Sequence, residues 1–300
     1  MKCNKCNSEI PLDAKFCPNC GNKIDEDILK QPHTCVKCHT PMPAEALFCP
    51  YCGEPEQSEE VRPQIGDYYY TDGTYSHEKD SRKTVAGIVF STETTDIEKS
   101  HGWTHGQIVA TKVAELEVYR KKHGIFNLME QQELMSTNFL QFGPHEELPL
   151  PQKSIELSDS ELICDKNGYE YTYSGFTIQK KYEIFEAART FNVTLPYGIS
   201  SGWYVPTIGQ ILDIFKNLLG RDIKKTASGY SLSYKSIGEI MSDLNILADT
   251  AANPLFLLGL ASSTQHKDKY YVLKAQSFFI LNVVAVDKET SSFCLPVAAF

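Results

Sequence analysis

Short apolar segments at both ends of residues 64–300 predict β-strands, and amphipathic segments between them predict helices. At the start of this stretch, 67–70 and 71–75 indicate a strand, a tight Asp-Gly turn and a second strand. The other predicted strands are 85–90, 106–110, 270–273, 277–286 and 293–298. Strands at both ends with helices between them predict an α+β domain whose two ends pair in one sheet.

Three segments have apolar residues at helical spacing. The first is 182–191, which has one apolar face. In the second, Thr207 is the predicted N-cap and Gly220 the predicted stop, and Ser236 opens the third as part of a capping box. The stretch 115–165 mixes polar residues with three prolines, and we expect it to be an irregular insertion.

Eight of the ten cysteines lie in the first 52 residues, arranged as four C-x-x-C pairs. The pairs are Cys3/Cys6, Cys17/Cys20, Cys35/Cys38 and Cys49/Cys52. Ten residues separate the two pairs of each unit, and the unit recurs with a period of 32 residues. The second halves of the two units nearly coincide, with FCPNCG at 16–21 and FCPYCG at 48–53.

This spacing predicts two structural zinc sites, one in each unit. A C-x-x-C turn presents two thiolates to one side of a metal ion, and a second such turn closes a tetrahedral site. A unit of about 20 residues is too small to bury a stable core, so it needs a metal or a disulfide. Four thiolates leave no open position for water, which disfavours catalytic zinc. We expect His33 and His39, which flank the second unit, to be surface residues because four cysteines already complete its site.

Two other interpretations of the cysteines are weaker. A disulfide framework would suit a secreted chain, but the N-terminus lacks the apolar core of about 7 to 15 residues that an export signal needs. A thioredoxin-like redox pair would occur once, on a βα unit, rather than four times. No apolar run approaches the roughly 18 residues of a membrane-spanning helix. We therefore expect a cytoplasmic chain without a membrane span.

Composition and charge narrow the class of protein further. The 300 residues are 42% hydrophobic and 22% charged, which excludes a disordered chain and allows roughly two domains. The net charge is −9, and residues 1–55 carry six lysines and seven acidic residues. This balance disfavours a nucleic-acid partner, although nucleic-acid binding through the two cysteine-rich units remains an alternative. Residues 55–63 contain two prolines and three glutamates, which indicates an acidic linker.

With this cysteine pattern, residues 1–53 resemble the double zinc ribbon family, which is often found at the N-terminus of bacterial and archaeal proteins. The resemblance implies zinc binding and, in many members, contact with another protein.

A second resemblance covers most of residues 64–300 and rests on several short motifs in a fixed order. They are GDYYYTDGTYS at 66–76, GIVF at 87–90, HGQIVA at 105–110, SGWYVPTIGQILDIFKNL at 201–218, ASST at 261–264 and CLPVAAF at 294–300. The region is similar to domains abundant in Bacteroides and relatives that are related to the C-terminal domain of the Legionella collagen-like protein. This implies a C-type-lectin-like α+β fold. The chain has Leu260-Ala261 where that family has Tyr-Trp, and Leu295 where it has Arg.

Few residues of the C-terminal region are candidates for chemistry. His101 and His105 stand four residues apart and could form a metal or acid–base pair, and Cys164 could act as a reactive thiol. We expect all three, together with Cys294, to have structural roles, and we expect Trp203 to be a core residue. The run 262–264 lacks the G-x-S-x-G elbow of a hydrolase.

The sequence thus predicts zinc ribbons at 1–26 and 33–54, the acidic linker at 55–63, and an α+β, C-type-lectin-like domain with a mixed or antiparallel sheet at 64–300. We expect two structural zinc ions held by the eight N-terminal cysteines. The expected function is non-enzymatic, as a binding or adaptor protein that contacts a protein partner. The alternative is an enzyme of unknown type using His101, His105 or Cys164.

Overall fold

The computed structural model describes residues 19–20, 33–34, 38–42, 49–53, 62–121, 132–137, 140–142, 158–175, 177, 182–227, 229–247, 259–266, 269–277 and 279–300. They fall into two compact units, which we call the ribbon unit (Met1–Val61) and the large unit (Arg62–Phe300). Within the described ranges, no helix has the length and apolar character required to cross a bilayer.

In the ribbon unit, two short strands bracket a turn. Strand β1 (His33–Thr34) pairs antiparallel with β2 (Pro41–Met42). Between them, His39 has a φ of 55°, in the left-handed region that residues other than glycine rarely adopt. The chain therefore reverses sharply just after Cys38.

The large unit contains fourteen further strands and six α-helices in its described part. The strands are β3 (Tyr68–Tyr70), β4 (Tyr75–Ser76), β5 (Val85–Ser91), β6 (Gln107–Ala110), β7 (Leu116–Lys121), β8 (Gln132–Thr137), β9 (Leu140–Gln141), β10 (Ile223–Thr226), β11 (Gly229–Ser233), β12 (Leu260–His266), β13 (Lys269–Ser277), β14 (Ile280–Asp287), β15 (Ser291–Ser292) and β16 (Val297–Ala299). The helices are α1 (Asp96–Ser100), α2 (Asp159–Cys164), α3 (Gly168–Tyr173), α4 (Glu183–Arg189), α5 (Ile208–Asp213) and α6 (Ile237–Leu247), and a π-helical turn (Ile214–Leu218) continues α5.

The first five-stranded sheet has the order β16-β6-β5-β3-β4, and every pair in it is antiparallel. The predicted Asp-Gly turn joins β3 to β4, and Gly73 in it has a φ of 86°. A Cβ at this glycine would lie 2.6 Å from Cδ1 of Ile199, so the turn also needs glycine for close approach. Both ends of the domain enter this sheet as predicted, with β16 pairing with β6 rather than with β3.

The second five-stranded sheet has the order β10-β11-β14-β13-β12 and is also antiparallel. Burial alternates along β11, where Tyr230 and Leu232 are buried. A strand with such alternation packs one face on a core and leaves the other nearer to solvent. The C-terminal strands predicted at 270–273 and 277–286 are confirmed as parts of β13 and β14.

The helix signals of the sequence are also present. Thr207 caps α5 in a capping box with Gln210, and the Ser236 hydroxyl accepts a hydrogen bond from the Glu239 amide at the start of α6. Gly220 follows the π-helical turn with a φ of 64°, which only glycine adopts freely. The helix predicted at 182–191 is α4.

The stretch 115–165, expected to be irregular, contains regular elements in its described part. Strands β7 and β8 form an antiparallel hairpin, in which Leu116 lies opposite Thr137. Helix α2 begins after Ser158, which forms a capping box with Glu161. Residues 122–131, 138–139 and 143–157 lie outside the described residues.

Three clusters of buried side chains form the core of the large unit. The largest joins residues of both five-stranded sheets around α5 and the π-helical turn. The second contains Phe142, Phe185 and Tyr270 beside α4, and the third packs Tyr69 and Trp203 with Phe300, the C-terminal ring. The described large unit is thus an α+β structure with mostly antiparallel sheets and few helices, as the strand and helix patterns predict.

Candidate functional site

Three cysteine thiols of the second ribbon lie together in the ribbon unit. The sulfur atoms of Cys38, Cys49 and Cys52 lie within 4.8 Å of one another, and the Cys38 and Cys49 sulfurs are 3.6 Å apart. Cys49 is buried, with 2% of its surface exposed, whereas Cys38 is exposed. Three thiols at this separation match the soft donor set that zinc prefers.

Tight turns position these thiols. The Gly53 amide donates to the Cys49 carbonyl at 2.9 Å, and Gly53 has a φ of 69°. His39 takes the corresponding left-handed conformation after Cys38, in the place where the other half of the ribbon has glycine. The His39 side chain is exposed and does not belong to the thiol cluster.

Thr40 forms hydrogen bonds with Cys38 that favour the thiolate form of this cysteine. Its hydroxyl lies 3.2 Å from Cys38 Sγ. Hydrogen bonds from the Thr40 side chain and backbone lower the pKa of the Cys38 thiol to about 6. Because the thiolate is the form that ligates zinc, these bonds favour metal binding at neutral pH.

Of the five other predicted ligands, one is among the described residues. Cys3, Cys6, Cys17 and Cys35 lie outside the described residues. Cys20 is described and exposed. Within the described ranges, Cys38, Cys49 and Cys52 are the one group of three or more His, Cys, Asp or Glu that could hold a metal ion.

The two histidines that the sequence suggested as a pair have separate surroundings. His101 ends α1, and its Nδ1 lies 2.8 Å from the Ile97 carbonyl. Its ring stacks on Trp103 with the ring centroids 4.8 Å apart. The His105 ring lies parallel to Phe300 instead, and the His105 amide donates to the Phe300 carbonyl. The described ring contacts of the two histidines are therefore to different aromatic residues.

The two cysteines outside the ribbons also differ from each other. Cys164 is exposed at the end of α2. Cys294 is fully buried, and its burial raises the pKa of the thiol well above its usual value. A buried thiol of this kind is chemically inert and packs as a small hydrophobe.

The serine and threonine side chains of β12 form hydrogen bonds inside the large unit. Ser262 donates to the Tyr271 carbonyl at 2.7 Å, and Thr264 donates to Oδ2 of Asp165 at 3.1 Å. Asp165 is buried and also accepts hydrogen bonds from Tyr171 and the Asn167 amide. Burial raises the pKa of Asp165. These contacts tie β12 to the chain between α2 and α3.

A second buried carboxyl, that of Glu98, joins helix α1 to the start of α5. Its Oε1 accepts from Tyr204 at 2.7 Å, and its Oε2 accepts from Gln107 at 2.8 Å and from the Thr95 amide at 2.7 Å. Gln210 donates to both Gln107 and Tyr204. Sequence reasoning missed this network, although the Thr95-x-x-Glu98 capping box is readable in the sequence.

The large unit also contains a cleft lined mainly by aromatic rings, which we call the aromatic cleft. It is open to solvent, has a volume of about 500 Å³, and is lined by His101, Trp103, Tyr169, Tyr173, Arg189, Trp203 and residues of the loop 195–202. Sequence reasoning assigned Trp203 to the core. The residue is indeed 4% exposed, and its indole donates to the Val193 carbonyl at 2.7 Å.

Comparisons with known proteins agree with the ribbon geometry. Residues 3–53 match the family model described as "Double zinc ribbon". This match confirms the first resemblance noted in the sequence, and it supports zinc binding by the N-terminal segment together with the three clustered thiols.

The other two comparisons concern the chain as a whole. No curated protein matches the chain. Among solved structures, the chain is similar to a fimbrial protein from Bacteroides ovatus ATCC 8483, at 15% identity and a TM-score of 0.48. The similarity covers 79% of this chain and 49% of that structure, so the chain spans about half of that protein's length. A likeness at this level defines neither the fold family nor the function of the large unit.

Proposed function

We propose that the protein binds two structural zinc ions, one in each ribbon. Cys3, Cys6, Cys17 and Cys20 would hold the first ion, and Cys35, Cys38, Cys49 and Cys52 the second. The observation that carries the proposal is the approach of three sulfur atoms within 4.8 Å in the second ribbon. The equal spacing of the C-x-x-C pairs extends the same assignment to the first.

A structural rather than catalytic role follows from the donor set. Zinc bound by four thiolates has no position left for water, so it acts by holding the chain together. Little apolar burial stabilises the described part of the ribbon unit, because Cys49 is its one buried apolar side chain. The metal would therefore supply much of the free energy that orders the described part of this unit.

The finer part of the proposal concerns partners. We propose a cytoplasmic, non-enzymatic adaptor in which the ribbons and a C-type-lectin-like large unit contact protein partners. The resemblance of the ribbons to a family with protein-contact roles supports it, as does the separation of the chain into two compact units. The separate surroundings of His101 and His105 speak against the enzyme alternative.

Zinc content per chain tests the metal assignment. We expect two zinc ions in the purified, reduced protein, one in a Cys49→Ser variant and one in a variant combining Cys17→Ser with Cys20→Ser. Cys164→Ser is the matched control, because this thiol is exposed and lies outside the ribbons, and it should retain two ions. Two ions in either ribbon variant, or fewer than two in the control, would contradict the assignment.

Recovery of binding partners tests the adaptor role. Proteins captured by the full chain are compared with those captured by the zinc-deficient Cys49→Ser variant. A partner lost from the variant supports recognition through the ribbons. An unchanged set of partners would remove the second ribbon from recognition.

A further inference from the structure

We propose that the aromatic cleft of the large unit binds a small anionic ligand that carries a carboxylate on a ring. This proposal concerns a different unit from the zinc sites and does not depend on them. A volume of about 500 Å³ lies within the range typical of sites for small molecules.

The walls of the cleft are suited to a flat or ring-shaped body. The His101 ring stacks on Trp103 at an interplanar angle of 9°. Tyr169 meets the Trp103 ring edge-on with the centroids 5.0 Å apart, and Tyr173 lies 5.0 Å from Tyr169. Hydrogen bonding holds the Tyr173 ring in place, since its hydroxyl donates to the Trp203 carbonyl at 2.9 Å. Such fixed rings offer stacking surface at a low entropic cost.

Arg189 supplies a positive charge that makes no contact ion pair among the described residues, although Glu186 on the same helix attracts it electrostatically. The guanidinium donates to the carbonyls of Thr172, at 2.9 Å, and Thr177, at 3.4 Å. No described carboxylate lies within ion-pair distance of it. The side chain is half-buried, and burial lowers the pKa of Arg189. The two described hydrogen bonds use two of the five N–H groups of the guanidinium. A half-buried cation without a contact ion pair is costly, and a bound carboxylate would offset that cost.

The charge of the lining selects an anion. None of the described residues that line the cleft is acidic, although the whole chain has a net charge of −9. One guanidinium neutralises the single charge of a carboxylate, whereas a phosphate group carries a charge of about −1.5 to −2 at pH 7 and would keep uncompensated charge in the cleft. The carboxylate therefore accounts for the anionic end of the ligand, and the rings account for its body.

One rim of the cleft carries the exposed ring of Tyr197, on a loop whose base is held by hydrogen bonds. Tyr197 is fully exposed, at 104% of its reference surface. It precedes Gly198, which has a φ of 83°. The base of the loop is held by Ser201, whose amide donates to the Ala299 carbonyl and whose hydroxyl accepts from the Ala299 amide, each at 2.9 Å. A ligand ring in the cleft would cover the apolar face that Tyr197 leaves in water.

Tryptophan fluorescence of the full, zinc-loaded chain tests the proposal directly. The chain has two tryptophans, Trp103 and Trp203, and both line the cleft. We titrate two ring acids, glucuronate and benzoate, against their neutral counterparts glucose and benzyl alcohol, and against inorganic phosphate. We expect a saturable change with at least one acid and none with the neutral compounds or phosphate. A response to glucuronate alone identifies a sugar acid, and a response to benzoate alone identifies an aromatic acid.

Variants assign the response to the cleft. Arg189→Gln should weaken binding about tenfold or more, because it removes a charge-assisted hydrogen bond. Tyr197→Ala should weaken it about threefold, and this variant keeps the test valid even where Arg189→Gln fails to fold, since the Tyr197 ring is fully in solvent. Matched controls are Arg82→Gln, an exposed arginine, and Phe279→Ala, a partly exposed ring, neither of which lines the cleft. Both controls should bind as the wild type does.

Four outcomes would overturn the proposal. The first three are the absence of a saturable response to both acids, equal binding of a neutral counterpart, and equal binding of inorganic phosphate. The fourth is unchanged affinity in Tyr197→Ala, together with unchanged affinity in Arg189→Gln where that variant folds. Zinc content is measured in every sample. A failure at the cleft with two zinc ions present leaves the metal proposal standing, so the two failures are distinguishable.

Discussion

The ribbon unit and the large unit stabilise their folds by different means. In the large unit, three clusters of buried side chains join two five-stranded sheets. Seven of the buried aromatic rings are less than 1% exposed: Tyr69, Phe90, Phe142, Tyr182, Phe185, Tyr204 and Tyr270. In the described part of the ribbon unit, one apolar side chain is buried, and it is a cysteine, Cys49. A hydrophobic core needs many residues, whereas a metal site needs four donors. Under the proposed assignment, a metal site would hold the ribbon unit together, whereas an apolar core stabilises the large unit.

The largest expected effect comes from removing the metal. Chelation should abolish the order of the ribbon unit, because a structural zinc contributes an apparent binding free energy of about 10–16 kcal/mol. The large unit should remain folded. Tryptophan emission reports on it alone, since Trp103 and Trp203 both lie there and are 8% and 4% exposed.

The measurement combines zinc analysis with the emission spectrum and the melting temperature of the tryptophan signal before and after chelation. We expect zinc to be lost while the emission maximum and the melting temperature stay constant. A red shift of the emission on chelation would show that the large unit also depends on the metal.

The second-largest effect is expected from the hydrogen-bond network around Glu98, which tests how much buried polar groups stabilise the large unit. Glu98→Ala leaves three donors without their acceptor: the buried side chains of Gln107 and Tyr204 and the partly buried amide of Thr95. We expect the free energy of unfolding to fall by about 3–5 kcal/mol. Tyr204→Phe removes one of these bonds and should cost about 1–2 kcal/mol. Urea denaturation followed by tryptophan emission measures both.

The control for Glu98 is on the same helix. Asp96→Ala removes a fully exposed carboxylate whose ion-pair partner, Lys99, lies 3.8 Å away. A surface ion pair of this kind contributes little, so the variant should change stability little. If Glu98→Ala cost no more than Asp96→Ala, the network around Glu98 would contribute nothing to the fold.

Local features of this chain were predictable from the sequence. The C-x-x-C spacing predicts the ribbon ligands, three of which lie together in the structure. Gly73, Thr207 and Gly220 mark a turn, a helix start and a helix end that the structure contains. Each of these signals acts over a few residues, where backbone geometry and hydrogen bonding of the nearest neighbours decide the conformation.

Long-range contacts were not predictable in the same way. Tyr204 and Glu98 are 106 positions apart, and Thr264 and Asp165 are 99 apart, so no local pattern connects them. The aromatic cleft combines residues from four separate segments, and Arg189 belongs to a helix that the sequence correctly marked as amphipathic without indicating what its arginine faces. Such sites come from tertiary packing, which a single sequence does not show.

The smallest effect is a pH dependence confined to the large unit. Burial raises the pKa of Asp165 in the folded protein above its value in the unfolded chain. The folded state therefore binds this proton more readily than the unfolded state does. The resulting contribution to stability is fully present below the unfolded pKa and is lost as the pH rises through the folded pKa.

Asp165→Asn removes this titration while keeping a side-chain oxygen to accept the bonds from Tyr171 and the Asn167 amide. The difference in unfolding free energy, wild type minus variant, should thus decline as the pH rises from about 4 to 7. Urea denaturation followed by tryptophan emission excludes the ribbon unit from the signal, because both tryptophans lie in the large unit. Asp96→Asn, at a fully exposed site, gives the reference slope. A difference for Asp165→Asn that rises with pH would mean that the hydrogen bonds to Asp165 outweigh its burial, and that the polar contacts of the large unit favour the charged carboxylate.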